Sequence, residues 1–318
     1  MPNTSMMTTY ITPSPGQKVQ ADLARSWLLV NAVQPEAFQT AEDSAADVVV
    51  LDIEDAVAPK DKERALKNVT DWFAAGHTGW VRINGFGSQW WEQDVTELAH
   101  FITHQLDGPH QNGGLLGVML AMVESTDHVN ETAARLPGVP IVALVETARG
   151  LQRINSIAAA RGTFRLAFGV GDFRRDTGFG GSARALAYPR SQFTIASKAA
   201  MLPSPIDGPT QGTISKKLIQ GASVASEFGF TGKLCLLPDQ TAVINTGLSP
   251  SQEELTWAHN FLAEFEQAGG QIRNGSDLPR LARSNSIIEL ANALGIEWRR
   301  PGSVDDYSAS DPGGTYYY

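Results

Sequence analysis

The chain has 318 residues, of which 42% are hydrophobic and 19% are charged, a composition typical of a globular protein with a sizeable core. Its formal net charge of -9 argues against nucleic acid as a partner. The single cysteine, Cys235, excludes an internal disulfide and a cysteine-rich metal site and fits a reducing cytoplasm, and no apolar run reaches the roughly 18 residues needed to span a membrane.

Short apolar runs alternate with amphipathic segments along the chain, which predicts parallel strands joined by helices. Pro203 and Pro205 make the seventh run the weakest strand of the series. Eight strand-helix units predict an α/β protein built as a closed (β/α)8 TIM barrel. An open doubly wound sheet is the alternative, although no GxGxxG motif follows an early strand. The runs, in chain order, are 27–32, 47–55, 80–85, 117–125, 140–147, 165–173, 199–207 and 232–238.

The barrel is predicted to take residues 21–268, with 250–268 as the helix that follows the eighth strand. Residues 269–298 are predicted to form a C-terminal helical extension that caps a site or joins subunits. The polar ends, 1–20 and 299–318, have too few apolar residues to pack and are predicted to be a disordered arm and a disordered tail.

Several of the predicted strands end in charged residues, at the end of the barrel where such proteins gather their chemistry. Glu146 ends the fifth strand and Asp172 ends the sixth, so their side chains can converge on one point. Paired carboxylates without a nearby histidine or cysteine suit a hard divalent cation such as Mg2+ or Mn2+. The alternative is that each carboxylate is a solvated residue of the barrel rim.

The motifs resemble, in their order along the chain, those of the citrate lyase β-subunit-like branch of the HpcH/HpaI aldolase superfamily. The most specific are 51-LDIEDAV-57, 145-VETARGL-151 and 169-GVGDF-173. The resemblance runs from about residue 25 to 245, and a weaker match continues toward 295. Further matching stretches are 25-RSWLLVNA-32, 81-VRING-85, 187-AYPRS-191, 206-IDGP-209 and 228-FGFTGKLCLLPDQ-240.

The resemblance implies a metal-dependent enzyme that makes or breaks a carbon-carbon bond beside a carbonyl. Its partners would be small molecules, an acyl-CoA thioester and a 2-oxo acid. It implies that Glu146 and Asp172 bind Mg2+, in agreement with the argument from the strand ends. It also implies that Arg82 binds the substrate's carboxylate or carbonyl oxygen, and that Glu54 and Asp55 border the metal and its waters.

The resemblance extends to assembly, because it implies a homotrimer or hexamer in which the C-terminal segment of one subunit covers the neighbour's site. Asp277 in that segment is then a candidate catalytic acid or base, provided that burial raises its pKa; a helix N-cap is its alternative role. Four residues of the matching motifs are expected to contact substrate or CoA, although pairing with an acid is an alternative for the last of them. They are Arg25, Asn84, Gly171 and Arg190.

The chain also departs from the family pattern around the cleft. Met122 replaces a lysine of many members, Leu237 replaces a histidine, and no acidic residue follows 206-IDGP-209. The predicted function is a Mg2+- or Mn2+-dependent lyase or synthase for a 3-hydroxyacyl-CoA of the malyl-CoA or citramalyl-CoA type, acting through a thioester enolate. Three alternatives stay open: a CoA-independent 2-oxo acid aldolase, a citrate lyase β subunit within a complex, and a weakly catalytic barrel retained as an interaction subunit.

Overall fold

A computed structural model of the protein describes residues 19–104 and 114–300. Its strands form one closed parallel barrel, in which each strand pairs with the next and β8 pairs with β1. This confirms the predicted (β/α)8 barrel. Residues 1–18 of the predicted arm and 301–318 of the predicted tail lie outside the described residues. The strands are β1 Ser26–Asn31, β2 Val48–Asp52, β3 Gly79–Ile83, β4 Leu115–Leu120, β5 Ile141–Val145, β6 Thr163–Phe168, β7 Ile206–Asp207 and β8 Gly232–Cys235.

Helices connect the strands and cover the outside of the barrel, and a short 3-10 turn, Pro59–Asp61, precedes the second of them. Within the described ranges, none of the helices is long and apolar enough to cross a membrane. The helices are α1 Glu36–Asp43, α2 Lys62–Ala74, α3 Gln89–His104, α4 Thr126–Arg135, α5 Ala148–Gln152, α6 Ile154–Ala158, α7 Val170–Thr177, α8 Ala187–Ala199, α9 Ser215–Glu227, α10 Pro238–Gly247, α11 Gln252–Gln267 and α12 Asp277–Ala293.

The apolar runs form strands because both of their faces are covered, as β5 shows with every residue buried. β7 is much shorter than its neighbours, with Ile206 and Asp207 as its only residues. Pro203 and Pro205 precede it and cannot donate a backbone hydrogen bond to a neighbouring strand, so the ladder begins only after them. The predicted weakness of the seventh strand is therefore visible in the structure.

The interior of the barrel is filled by apolar side chains and is closed at its amino end by a buried arginine, Arg165 of β6. Its guanidinium donates hydrogen bonds to the carbonyl oxygens of Ser204, Ala21 and Ala24 and to Thr231 Oγ1, at 2.6 to 3.0 Å. Burial lowers the pKa of Arg165 to about 9. Arg165 and the groups that it binds therefore lie at the end of the barrel opposite to Glu146. The apolar layer comprises Trp27, Val50, Trp80, Met119, Val142, Leu144, Ala167, Ile206 and Leu234.

The chain divides into two compact units after Leu248. The first unit contains the barrel and α10, which follows β8 directly and packs against α9 and β1. That position was predicted for residues 250–268, most of which instead form α11 and pack against α12 in the second unit. The difference arises because α10 buries only Gln240, Thr241 and Ile244, so its sequence has no apolar stripe to reveal it.

Candidate active site

Glu146 lies directly after β5, at the carboxyl end of the barrel, and only 2% of it is exposed. Its Oε1 accepts a hydrogen bond of 2.8 Å from the backbone N–H of Met122, which lies beyond the end of β4. Its Oε2 lies against Gly169, the residue after β6, where an added Cβ would collide with the carboxylate. Glycine at position 169 is therefore required for Glu146 to reach its place between the ends of β4 and β6.

Asp172 is the third residue of α7, the helix that begins as β6 ends. Its side chain is 21% exposed, and its Oδ1 lies 2.8 Å from Nη1 of Arg175 one helical turn later. Gly171 precedes it, is exposed, and would gain no contact from a Cβ. The backbone N–H of Gly171 belongs to the first turn of a helix and has no partner within that helix, so it can donate to an anionic oxygen. Its contact with substrate stays a prediction.

The electrostatics of Glu146 fit a cation site. Burial raises the pKa of Glu146 well above its usual range; the N–H of Met122 lowers it, the charges of Glu54 and Asp172 raise it, and Arg82 lowers it. The two predicted metal ligands thus act on one another, and the carboxylates, with Asp52, outnumber the two arginines beside them, Arg82 and Arg175. Carboxylate oxygens are the ligands that Mg2+ and Mn2+ prefer, so these residues fit a hard divalent cation.

The described side chains offer two acidic ligands at this point, Glu146 and Asp172, rather than a complete set. Across residues 19–104 and 114–300, no group of three or more His, Cys, Asp or Glu side chains could hold a metal ion by itself. A cation held by two carboxylates would complete its coordination with waters and substrate oxygens, as Mg2+ commonly does. Such a site leaves coordination positions for substrate.

Arg82 lies on β3 beside the end of β2, and its guanidinium is bound by two carboxylates. Its Nε and Nη2 donate to Oδ1 and Oδ2 of Asp52 at 2.8 and 2.6 Å, and its Nη1 lies 3.4 Å from Oε2 of Glu54. Burial opposes the charged form, but Asp52 and then Glu54 raise the pKa of Arg82 above its usual value, so it stays a cation. Asp52 could not be assigned a role from the sequence, because the register that pairs it with Arg82 is known only from the fold.

Glu54 is a buried acidic residue with a pKa near neutrality. Burial raises its pKa to about 7; Arg82 opposes this change, and Asp55 adds to it. The backbone N–H of Asp55 donates to Oε2 of Glu54 at 2.7 Å, while the side chain of Asp55 is exposed. Glu54 can therefore hold or release a proton near neutral pH, next to the guanidinium of Arg82.

A buried network that the sequence analysis missed holds this loop in place. Lys62, the first residue of α2, donates through Nζ to the carbonyls of Ile53 and Glu54 and to Oδ1 of Asn84, at 2.9, 2.8 and 2.6 Å. Nδ2 of Asn84 donates to Oδ2 of Asp94 at 2.7 Å and to Ile53 O at 3.2 Å. The amide of Asn84, expected to contact substrate, is thus committed to the protein. No single-sequence signal reveals that Lys62 is buried.

Arg25 lies at the amino end of the barrel, where it pairs with an aspartate. It precedes β1, and its Nε and Nη2 donate to Oδ2 and Oδ1 of Asp47, which precedes β2, at 2.8 and 2.9 Å. A residue before a parallel strand lies at the end opposite to Glu146. The expected contact with substrate stays a prediction, and within the chain Arg25 stabilises the amino ends of β1 and β2.

Arg190 also has a protein partner. It is buried on α8, and its Nε and Nη2 donate to Oδ1 and Oδ2 of Asp207 at 3.1 and 3.3 Å. Lys233 donates to the same carboxylate at 2.9 Å. Burial favours the neutral acid, but Lys233 and Arg190 outweigh it and lower the pKa of Asp207. The structure thus gives Arg190 the alternative role, pairing with an acid, in place of the expected contact with CoA.

Asp277 is the first residue of α12, in the second compact unit. Its Oδ2 accepts hydrogen bonds from the backbone N–H of Arg273 at 2.8 Å and of Asn274 at 3.3 Å. The Arg273 N–H is the main cause of a pKa below the usual value for an aspartate. The raised pKa that an acid role requires is not present in this chain, where Asp277 binds the turn that leads into the helix.

Comparisons with known proteins match both units. Residues 25–238 match the family HpcH/HpaI aldolase/citrate lyase, and residues 253–295 match the HpcH/HpaI aldolase C-terminal domain. The citrate lyase subunit beta-like protein of Mycobacterium tuberculosis is 32% identical over 276 residues, covering 83% of this chain and 94% of that protein. The L-malyl-CoA/beta-methylmalyl-CoA lyase of Rhodobacter capsulatus is 27% identical over 305 residues, covering 85% and 95%.

A solved structure shows the same fold. Protein CitE from Mycobacterium tuberculosis, in complex with magnesium, acetoacetate and coenzyme A, matches with a TM-score of 0.68 and 29% sequence identity. The match covers 85% of this chain and 99% of the CitE chain.

Proposed function

Because the chain belongs to the HpcH/HpaI aldolase/citrate lyase family, we propose that it is a Mg2+- or Mn2+-dependent carbon-carbon lyase for a 3-hydroxyacyl-CoA of the malyl-CoA or citramalyl-CoA type. The observation that carries the proposal is the buried carboxylate of Glu146. The charges of Asp172 and Glu54 act on this carboxylate and raise its pKa, whereas the charge of Arg82 lowers it. The relatives support the substrate class, since one is named a malyl-CoA lyase and another was solved with magnesium and coenzyme A.

Glu146 and Asp172 would hold the cation. When bound, it supplies a Lewis acid and a template for the carboxylate and hydroxyl oxygens of the substrate. The burial of Glu146 keeps water away from one side of that site, and the 21% exposure of Asp172 leaves the other side accessible from the mouth of the barrel.

Cleavage requires that the 3-hydroxyl group lose its proton and that the bond between the hydroxyl carbon and the thioester α-carbon break. The hydroxyl carbon becomes the carbonyl of a 2-oxo acid, and the electron pair passes to the thioester as an enolate, which then takes up a proton. Arg82 stabilises the negative charge of the enolate oxygen, and the forked bond to Asp52 fixes the guanidinium in advance. Run backwards, the same groups serve condensation of an acyl-CoA with a 2-oxo acid.

The proton of the substrate's hydroxyl group needs an acceptor whose pKa is close to neutral pH. With a pKa of about 7 and a place beside Arg82, Glu54 is suited to take that proton and to return one to the enolate. Asp277, supplied by a neighbouring subunit, is the alternative. Variants of either residue should distinguish them, since loss of the acid or base lowers kcat more than it raises KM.

The proposal predicts that substitution of the metal ligands abolishes both metal binding and thioester cleavage. Calorimetric titration of the wild-type protein with Mn2+ should show binding, and the Glu146→Gln/Asp172→Asn double variant should lose it. The wild type should cleave malyl-CoA or citramalyl-CoA only when Mg2+ or Mn2+ is present. A matched control, Glu131→Gln/Glu227→Gln, removes equal charge from exposed sites and should behave as the wild type. Cleavage by the Glu146→Gln/Asp172→Asn variant at the wild-type rate, or cleavage that ignores chelators, would contradict the proposal.

A further inference from the structure

Two residues other than glycine have a left-handed backbone in the described part of the chain, Met122 with φ of 53° and Met201 with φ of 57°. This conformation is unfavourable for a residue with a side chain, and it persists where the surrounding structure imposes it. Met201 lies at the surface after α8 and is 93% exposed, whereas Met122 lies beyond the end of β4 at the candidate active site.

The backbone around Met122 explains why the turn is held. The N–H of Ala121 donates to the carbonyl of Ile83 at 3.2 Å, and the N–H of Val123 donates to the carbonyl of Leu144 at 3.0 Å. The chain is therefore bound to β3 on one side and to β5 on the other. Only the N–H between them, that of Met122, turns away from the strands, and it donates to Oε1 of Glu146 at 2.8 Å.

Glycines make room for this arrangement on both sides. A Cβ at Gly85 would lie 3.0 Å from Cβ of Met122, so any larger residue at position 85 would press on the turn. Gly169 lies against the other carboxylate oxygen of Glu146. The carboxylate is thus confined between the Met122 N–H and the Gly169 backbone, and it has little freedom to rotate.

We propose that Met122 is a positioning residue for the metal site, and that it acts through its left-handed main chain rather than through its thioether. Its N–H holds the Glu146 carboxylate in the orientation from which Glu146 and Asp172 bind a cation. The inference rests on the metal site proposed above. It predicts that residue type at position 122 matters only through the backbone conformation that the residue accepts.

The test compares variants that keep or lose the left-handed turn. Met122→Asn changes the side chain but accepts this conformation, and we expect its Mn2+ affinity to stay within about threefold of the wild type. Met122→Val is β-branched and resists the conformation, and we expect its Mn2+ affinity to fall about tenfold or more, as for other residues that orient a metal ligand. Met201→Val introduces the same backbone conflict away from the site and should leave Mn2+ affinity unchanged.

Calorimetry gives the Mn2+ affinities, and circular dichroism shows which variants are folded. At saturating Mn2+, kcat of Met122→Val should return toward the wild-type value, because only the loading of the site is impaired. Equal Mn2+ affinity of folded Met122→Val and wild type would overturn the proposal, and so would an equal loss in Met201→Val. A fall in the affinity of Met122→Asn as large as that of Met122→Val would assign the effect to the thioether and overturn it too.

A measurement that needs no change at residue 122 covers the case in which Met122→Val does not fold. Hydrogen exchange of the Met122 amide should be slow in the wild type and at least about tenfold faster in Glu146→Ala, while the Ala121 and Val123 amides change little. Exchange that is unaffected by the loss of Glu146 would overturn the proposal. Absence of Mn2+ binding by the wild type would instead contradict the proposed function. The exchange result would then test only whether the Met122 N–H is bound by Glu146.

Discussion

The fold buries the acidic side chains of Glu54 and Glu146. Burial disfavours their ionised forms and therefore raises the pKa of both. Each carboxylate costs stability at a pH where it must ionise inside the protein. Arg82 compensates part of the charge through its contact of 3.4 Å with Glu54, but it is already bound by Asp52. We infer that burying these carboxylates lowers the stability of the fold and that cation binding offsets this loss. Such a trade-off between stability and activity is common at active sites.

Glu54→Gln should therefore stabilise the protein in the absence of metal, and more so at higher pH. The pKa of Glu54 is about 7 in the fold against a usual 4.5, so the native state holds the proton that the unfolded chain releases between these values. The stability that protonated Glu54 contributes is thus fully present below about pH 4.5, and it is lost as the pH rises through about 7. We expect the variant to gain about 1–3 kcal/mol near pH 8 and almost nothing near pH 5.

Urea unfolding at a series of pH values measures this difference, with the exposed Glu131→Gln as control. A variant that is less stable than the wild type near pH 8 would show that ionised Glu54 is a net stabilising partner of Arg82.

The place of the candidate site's carboxylates could be predicted from the sequence, but their partners could not. Glu146 directly follows β5 and Asp172 lies in the first turn of the helix after β6, and parallel strands bring such positions to the same end of the barrel. The contacts of Arg82 with Asp52 depend on the register between strands, which one sequence does not contain. Arg25 is a further example, because its place at the amino end of the barrel and its pairing with Asp47 are known only from the fold.

At the scale of elements, the segment between β2 and α2 carries Glu54 and Asp55 and is held by Lys62. The ammonium group uses its protons on the carbonyls of Ile53 and Glu54 and on Asn84. Burial lowers the pKa of Lys62, and Glu54 and then Asp94 oppose this change. A cation so fully bound contributes to the site by fixing the loop rather than by contacting substrate.

Lys62→Met should loosen this segment and impair catalysis at the same time. Methionine fills a similar volume but leaves carbonyl oxygens without a donor, so we expect the free energy of unfolding to fall by about 2 kcal/mol or more. We expect kcat/KM to fall about tenfold or more, because Glu54 would no longer be held beside Arg82. Lys60→Met changes an exposed lysine of the same turn and should alter stability by less than about 0.5 kcal/mol. Similar losses in both variants would contradict the special role of Lys62.

The elements themselves differ in how far the sequence reveals them. The strands could be predicted because the barrel buries both of their faces, which leaves uninterrupted apolar runs. α10 could not, because it is short and buries mainly polar side chains, so 250–268 with its apolar stripe was assigned in its place. α11 has a capping box at Ser251 and Glu254, which marks the start of a helix but says nothing of the unit to which it belongs.

At the scale of the whole molecule, the second unit joins α11 to α12. Arg280 stacks on Phe261 at 4.4 Å and Arg283 on Trp257 at 5.0 Å, so these arginines cover aromatic rings of α11. Leu278 and Ile272, on either side of Asp277, are 60% and 47% exposed. The other large apolar residues of α12 and its C-terminal end are half-buried, namely Leu281, Ile287, Ile288, Leu290 and Leu294.

This exposed apolar surface motivates the last prediction, that the second unit completes the active site of a neighbouring subunit in a homo-oligomer. In one chain, hydrogen bonds from Arg273 and Asn274 lower the pKa of Asp277. Asp277 is already buried in its own chain, so an acid role requires that assembly break these hydrogen bonds, and their loss would raise that pKa. The test mixes Asp172→Asn, which lacks a metal ligand, with Asp277→Ala, under conditions that allow subunits to exchange.

If Asp277 acts in a neighbouring site, a mixed oligomer contains some sites with both an intact Asp172 and an intact Asp277. Activity should then rise above that of either parent, toward about a quarter of the wild-type value for random pairing of equal amounts. Asp172→Asn mixed with Glu146→Gln is the matched control, because both changes lie in one barrel and no exchange of whole subunits restores a site. If exchange is confirmed by mass spectrometry and the Asp172→Asn/Asp277→Ala mixture stays as inactive as this control, Asp277 serves its own chain or no site at all. The apolar surface around it would then need another partner.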